Sequence, residues 1–233
     1  MSKYLKLFFF ALAICINAAW ADDVEDSNAA YFRGDYATAA QKLKNAAARN
    51  DVGAQSKLGF LYSQGLGVVK DDTEAVRWYK LAAAQGNASA QSNLGLKYAN
   101  GQGVLQDYAE AVRWFKLAAE QGFASAQYNH GYMYRNGQGV VQNYAEAVRW
   151  YKLAAAQGHA EAQSSLGQMY AIGQGVLQDY TRAHMWFNLA AVKSESNAIK
   201  NRDLIATQMT SQQIAQAQKL ARECQARNFK NCD

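Results

Sequence analysis

The chain has 233 residues, 17 glycines and no proline, with half of its residues apolar and 18% charged. So apolar a chain folds rather than acting as a disordered linker, and the lack of proline excludes collagen-like and mucin-like classes. Three cysteines are too few for a disulfide-built scaffold of this length, and a formal net charge of +5 is too small to argue for nucleic-acid binding.

Residues 1–21 read as a secretory signal peptide: Lys3 and Lys6 precede the apolar run from Leu7 to Ile16, and every acidic residue lies beyond it. Ala19-Trp20-Ala21 supplies small residues at the two positions a signal peptidase reads, which places the cut after Ala21. An apolar run of roughly ten residues is too short for a membrane anchor, which needs about 20. Cys15 follows the large Ile14, which argues against lipidation. Loss of Lys3 and Lys6 lowers the net charge to about +3.

Internal repetition organises most of the remaining chain. Trp78, Trp114, Trp150 and Trp186 recur every 36 residues, as do Tyr62, Tyr98, Tyr134 and Tyr170, and Gln55, Gln91, Gln127 and Gln163. Glycine is phased too, in columns that begin at Gly59, Gly65, Gly67 and Gly86. Four repeats are expected at 51–86, 87–122, 123–158 and 159–194. Within the first, Ala54, Leu58, Leu61 and Tyr62 share one face of a helix that stops at Gly65-Leu66-Gly67-Val68. Asp71 with Glu74 three residues on predicts a capping box for a second helix, repeated by Asp107 with Glu110 and by Asn143 with Glu146. The fourth repeat has Arg182 in place of the glutamate and so a weaker start. In the second helix Ala75, Trp78, Tyr79 and Ala82 share a face, and Gly86 ends it. A glycine inside every first helix, at 59, 95, 131 and 167, costs about 1 kcal/mol against alanine, which predicts close helix approach there.

The pattern Ala-Gln-x-x-Leu-Gly-x-x-Tyr-x-x-Gly-x-Gly-Val, then Asp-x-x-Glu-Ala-Val-Arg-Trp-Tyr-Lys-Leu-Ala-Ala-x-Gln-Gly, resembles the Sel1-like repeat, a relative of the tetratricopeptide repeat. The resemblance implies an all-α, right-handed α-solenoid of tandem helical hairpins, in which neighbours share a core that no single repeat can bury. Gly34-Asp35-Tyr36 with Ala39, Ala40 and Leu43 resembles a degenerate repeat, so 22–50 is expected to form an N-terminal capping hairpin. Residues 195–233 are expected to form C-terminal capping helices, with Thr210 and Gln213 capping a last helix whose Ile214, Ala217, Ala221 and Cys224 face inward. Cys224 and Cys232, the two cysteines left after export, are expected to form a disulfide that pins the tail.

The resemblance also implies a surface for a protein or peptide rather than a reaction, with the first helices lining a concave face. The outward positions there include Phe60, Leu96, Asn100, Tyr128, Tyr132, Arg135, Asn136, Gln168 and Ile172. Tyr128, Tyr132, Arg135 and Asn136 cluster in the third repeat with the composition of an interface hot spot. No cofactor, metal, nucleic acid or stable membrane anchor is expected, and the chain reads as a monomeric, non-catalytic, periplasmic or secreted protein.

Enzyme-like features are weak. Gly-x-Gly-Val lacks the third glycine and the preceding strand of a dinucleotide fingerprint. His130 replaces a core leucine, His159 sits at a repeat junction and His184 replaces a valine; none has a metal-pairing neighbour at helical spacing. The basic columns Arg77/Arg113/Arg149 and Lys80/Lys116/Lys152 are expected on a solvated face, each arginine paired with the glutamate three residues before it. Some exported relatives carry a cysteine pair in every repeat and are associated with β-lactams; this chain lacks those pairs. A weak hydrolase acting on β-lactam or cell-wall compounds is one alternative to the scaffold reading, and a glycan or host-surface binding module is another.

Overall fold

The computed structural model describes residues 23–192 and 196–232. The expected signal peptide, residues 1–21, and its expected cut after Ala21 lie outside the described residues. Among the described residues there are twelve helices and no strand. Contacts divide the chain into an N-terminal half, Met1–Gln106, and a C-terminal half, Asp107–Asp233.

The N-terminal half contains α1 (residues 23–32), α2 (Tyr36–Ala48), α3 (Val52–Gln64), α4 (Asp72–Ala84) and α5 (Ala88–Asn100). The C-terminal half contains α6 (Tyr108–Glu120), α7 (Ala124–Asn136), α8 (Tyr144–Ala155), α9 (Ala160–Ile172), α10 (Tyr180–Ala191), α11 (Ser196–Ala206) and α12 (Ser211–Ala226). The odd-numbered helices are the first helices of successive hairpins and the even-numbered ones the second. From α2 to α11, every first or second helix starts 36 residues after its predecessor of the same kind. The architecture is an all-α solenoid of stacked helical hairpins.

The caps explain where the helices begin. Asp51 and Asn87 accept from the backbone N–H three residues on at 2.6 and 2.8 Å, and Asp71 accepts from Thr73 and Glu74 at 2.9 and 3.0 Å. The reciprocal half of the expected capping box does not form in α4, α6 or α8. Glu74 instead takes the Arg77 guanidinium at 2.9 Å, and Glu110 and Glu146 take Arg113 and Arg149 at 3.0 Å. A charge-assisted bond to a guanidinium outcompetes one to a backbone amide. In the fourth repeat Arg182 pairs with the capping Asp179 itself, at 3.1 Å. A complete capping box forms at Thr210 and Gln213, which opens α12.

Packing explains the recurrent columns. Gln55, Gln91, Gln127 and Gln163 are buried, and each side-chain amide donates to the carbonyl eight residues earlier, at 3.4, 3.1, 3.2 and 3.3 Å. Those carbonyls belong to the last turn of the preceding second helix, beyond its regular ladder; each also accepts from the backbone N–H three residues on, and the glutamine takes a second acceptor position of the same oxygen. The glycine inside the first helix has the expected steric cause. A Cβ at Gly131 would lie 2.9 Å from the Tyr151 ring, and one at Gly167 would lie 2.6 Å from Phe187. The second glycine of each loop joins neighbouring repeats: Gly139 has φ +70°, and a Cβ there would lie 2.3 Å from the carbonyl oxygen of Tyr108. No side chain fits between that loop and the start of the previous second helix.

One interface departs from the others. The positions occupied by Tyr36 and Leu61, Tyr108 and Met133, and Tyr144 and Met169 hold Asp72 of the first repeat and Lys97 of the second. Lys97 is 8% exposed, and its Nζ donates to Asp72 at 2.7 Å and to Gln102 at 3.2 Å. A partly buried ion pair thus stands where the other repeats hold an aromatic and an apolar residue.

At the C-terminus Ala217, Ala221 and Cys224 of α12 are buried against α10, and a Cys224–Cys232 disulfide closes the tail with Cα atoms 5.1 Å apart. Phe229 and Cys232 pack on the same core.

Candidate binding site

Each half carries a groove on its first-helix side. In the C-terminal half α7, α9 and α11 form the walls and α10 the floor of a cavity of about 460 Å³. Arg135 comes from α7, Gln168 and Ile172 from α9, Phe187 from α10, and Asn201 and Leu204 from α11. In the N-terminal half α1, α3 and α5 surround a cavity of about 360 Å³ over Leu43 of α2. The two sites correspond: Ser27, Phe60 and Asn93 stand three repeat periods before Arg135, Gln168 and Asn201.

Local sequence sets these side chains. Gly131 and Gly167 press the buried face of α7 and α9 onto Tyr151 and Phe187, which turns Tyr132 and Gln168, one residue further on, away from the floor. Tyr132 is 44% exposed and Ile172 is 56% exposed. Arg135 is half-buried and donates one terminal nitrogen to Gln168 Oε1 at 3.0 Å. Three of the nine sequence-derived residues, Arg135, Gln168 and Ile172, therefore meet in one cavity. Phe60, 39% exposed, lines the N-terminal groove beside the more exposed Phe32. Leu96 and Asn100 are exposed on α5 and outside that cavity.

Tyr128 and Asn136 are more constrained than their positions imply. The Tyr128 ring stacks on His159 with centroids 5.1 Å apart and tilts against Tyr151 at 5.7 Å, so it is half-buried, and burial pushes its phenol above the usual range. Asn136 is exposed but donates to the Tyr132 carbonyl of its own helix at 2.8 Å. Tyr151 is fully buried beside Arg135, and burial raises its phenol further.

The wall formed by α11, with Asn201 and Leu204, carries none of the repeat motif and was missed from sequence, as were Ser27, Asn28 and Phe32 of α1. The 36-residue register, continued past Ile172 and before Val52, places them opposite the residues already identified.

The other chemistry-bearing residues are used in packing. His130 is 2% exposed between the edges of Tyr134 and Trp150, at 5.1 and 4.9 Å, and desolvation pushes its imidazole down to about 4. His184 is also buried and pushed down, and Asn188 lies 3.4 Å from its Nδ1. His159 caps α9. The arginine column lies over the tryptophan column, with Arg77, Arg113 and Arg149 4.1, 4.3 and 4.5 Å from the ring centres of Trp78, Trp114 and Trp150. Those cations are held by carboxylate and ring together. Among the described residues no group of three or more His, Cys, Asp or Glu is placed to hold a metal ion, and no helix is long and apolar enough to cross a membrane.

Comparisons with known proteins agree with this architecture. A Sel1 repeat crystal structure from Oxalobacter formigenes is 38% identical, with a TM-score of 0.71 over 76% of this chain and 70% of that one. The structure of c5321, a protective antigen present in uropathogenic Escherichia coli strains displaying an SLR fold, is 32% identical, with a TM-score of 0.76 over 93% of this chain. This chain spans 48% of c5321. A putative sel1 repeat protein from Klebsiella pneumoniae shares the fold at 22% identity and a TM-score of 0.55, over 80% of this chain and 93% of that one. No curated protein matches. The Sel1 repeat model matches residues 52–87, 88–123, 124–159 and 160–191, and the chain belongs to the Sel1 repeat family, whose members are generally protein-interaction scaffolds.

Proposed function

We propose that this chain is a non-catalytic scaffold, exported to the periplasm or secreted, that binds a protein or peptide on the concave face formed by its first helices. The observation that carries this reading is the pair of corresponding grooves. Residues that build the frame are kept in every repeat, as with the Gln91, Gln127 and Gln163 bonds to the preceding helix. The residues that face the grooves differ, Ser27 against Arg135 and Phe60 against Gln168. A constant frame with varied groove side chains is what selective recognition uses. Exposed Tyr132 and half-buried Arg135 supply the residue types most often found at interface hot spots. The Cys224–Cys232 bridge supports export, because a disulfide persists in an oxidising compartment.

The test is capture from an envelope extract by the immobilised protein, with Tyr132→Ala plus Arg135→Ala as the comparison. The double variant is expected to lose the protein that wild type retains; equal retention by both would refute the site.

A further inference from the structure

We infer that the C-terminal groove takes the free C-terminus of a partner polypeptide, with its carboxylate on Arg135 and its last, aliphatic side chain against Ile172, Leu204 and Phe187. This rests on the scaffold reading above and adds the chemistry of the ligand.

Charge comes first. Among the described residues Arg135 is the single charged one lining the cavity, and it forms no ion pair with any of them. Arg77, Arg113, Arg149, Arg182 and Arg202 each have a carboxylate within 2.7 to 3.1 Å. Gln168 holds one terminal nitrogen of Arg135 and fixes the fork; the remaining donors match the two oxygens of a carboxylate.

The walls add an apolar requirement. Leu204 is 69% exposed and Ile172 56% exposed at the cavity edge, so an aliphatic side chain placed between them removes apolar surface from water. Gln168, Asn201 and Gln208 line the same cavity with carboxamides. Each both donates and accepts, as a peptide group does, which favours a polypeptide over a free fatty or aromatic acid. A C-terminal residue carries its carboxylate and its side chain on one Cα, so it meets both requirements within about 460 Å³. An internal Asp or Glu would need a second residue for the apolar contact and room for chain on both sides.

The N-terminal groove is the internal comparison. Ser27 takes the place of Arg135 in the same frame, and the cation present, Lys57, is exposed and donates to Asn28 at 2.6 Å. That groove has the apolar wall without the anion site. Serine is therefore compatible with the fold at this position.

The experiment uses the intact protein and an array of random decapeptides attached through their N-termini and ending in Leu, Ile or Val, each made as free acid and as C-terminal amide. Free acids are expected to bind at least about tenfold more tightly than their amides. Arg135→Ser should abolish the difference, and Leu204→Asp should weaken the bound acids. Equal binding of acid and amide overturns the inference and leaves the scaffold reading intact, and so does preferential binding of amides with internal Asp or Glu. An array with no binders overturns it too, while capture from extract tests the scaffold separately. The acid-to-amide comparison needs no variant, and far-UV circular dichroism verifies the fold of the two that are used.

Discussion

The Asp72–Lys97 pair gives the sharpest test of how the repeats are held together. At an effective dielectric of about 20, charges about 4 Å apart attract by about 4 kcal/mol, which is comparable to the cost of removing the two ions from water. The pair is therefore close to neutral against the aromatic–aliphatic pairs in the other repeats, but its two halves are not equivalent. Lys97 has an 11% exposed side chain and, without Asp72, keeps only Gln102. Asp72 is 25% exposed and is the first residue of α4, where the helix dipole favours a negative charge. Asp72→Ala is thus expected to cost about 3 kcal/mol and Lys97→Met about 1 kcal/mol. Asp72→Tyr with Lys97→Met restores the pattern of the neighbouring repeats and should lie within about 1 kcal/mol of wild type, a non-additivity of several kcal/mol. Urea unfolding at pH 7 reads all three. If Lys97→Met costs more than Asp72→Ala, or if the double variant is the sum of the singles, the reasoning is wrong.

The loop glycines should differ by mechanism. Gly139→Ala places a Cβ 2.3 Å from a backbone oxygen and is expected to cost about 3 kcal/mol or more. Gly122→Ala, with φ +86° and open space around it, should cost about 1 kcal/mol; thermal melts compare them. His130 sits at about 4 when folded and near 6.5 when unfolded, so the unfolded chain binds more protons between those values. Stability should fall as pH drops from 6.5 toward 4, by up to about 3 kcal/mol from this residue, and His130→Leu should give a shallower slope; identical slopes would exclude His130 as a source. Replacing Cys224 and Cys232 by serine should cost about 2.5 kcal/mol through the short loop, with increased amide exchange confined to the end of α12 as the signature.

What was legible in the sequence was whatever repeats along the chain or depends on near neighbours. The columns of Trp, Gln and Gly mark the hairpins because packing demands the same side chain at each period. Thr210 with Gln213 announces its cap, since both partners lie within one turn. The inward faces of α3, α4 and α12 follow from helical spacing. What stayed hidden depends on contacts between helices. Glu74 lies at the right distance for a capping box, and only the position of Arg77 decides which bond it makes. Asp72 and Lys97 break their columns separately, 25 residues apart in sequence, and become one interaction when α4 meets α5. In the candidate site, Arg135 and Gln168 were visible as outward positions, but α11 carries no glycine loop and no tryptophan, so its wall could not be recognised from the repeat motif. Tyr128 sits on an outward position yet leans inward, because His159 of the next repeat offers its ring a stacking surface.

In the proposed scaffold, partners dock on the first helices rather than the second. Tyr132 of α7 and Leu153 of α8 are equally exposed, at 44% and 43%, so exposure alone cannot favour one. A photo-crosslinking amino acid placed at each position in turn, in protein incubated with envelope and culture-fluid extracts, makes the comparison. Crosslinks formed from position 132 and not from 153 are the predicted result; crosslinks from 153 alone, or equal crosslinks from both, would contradict it.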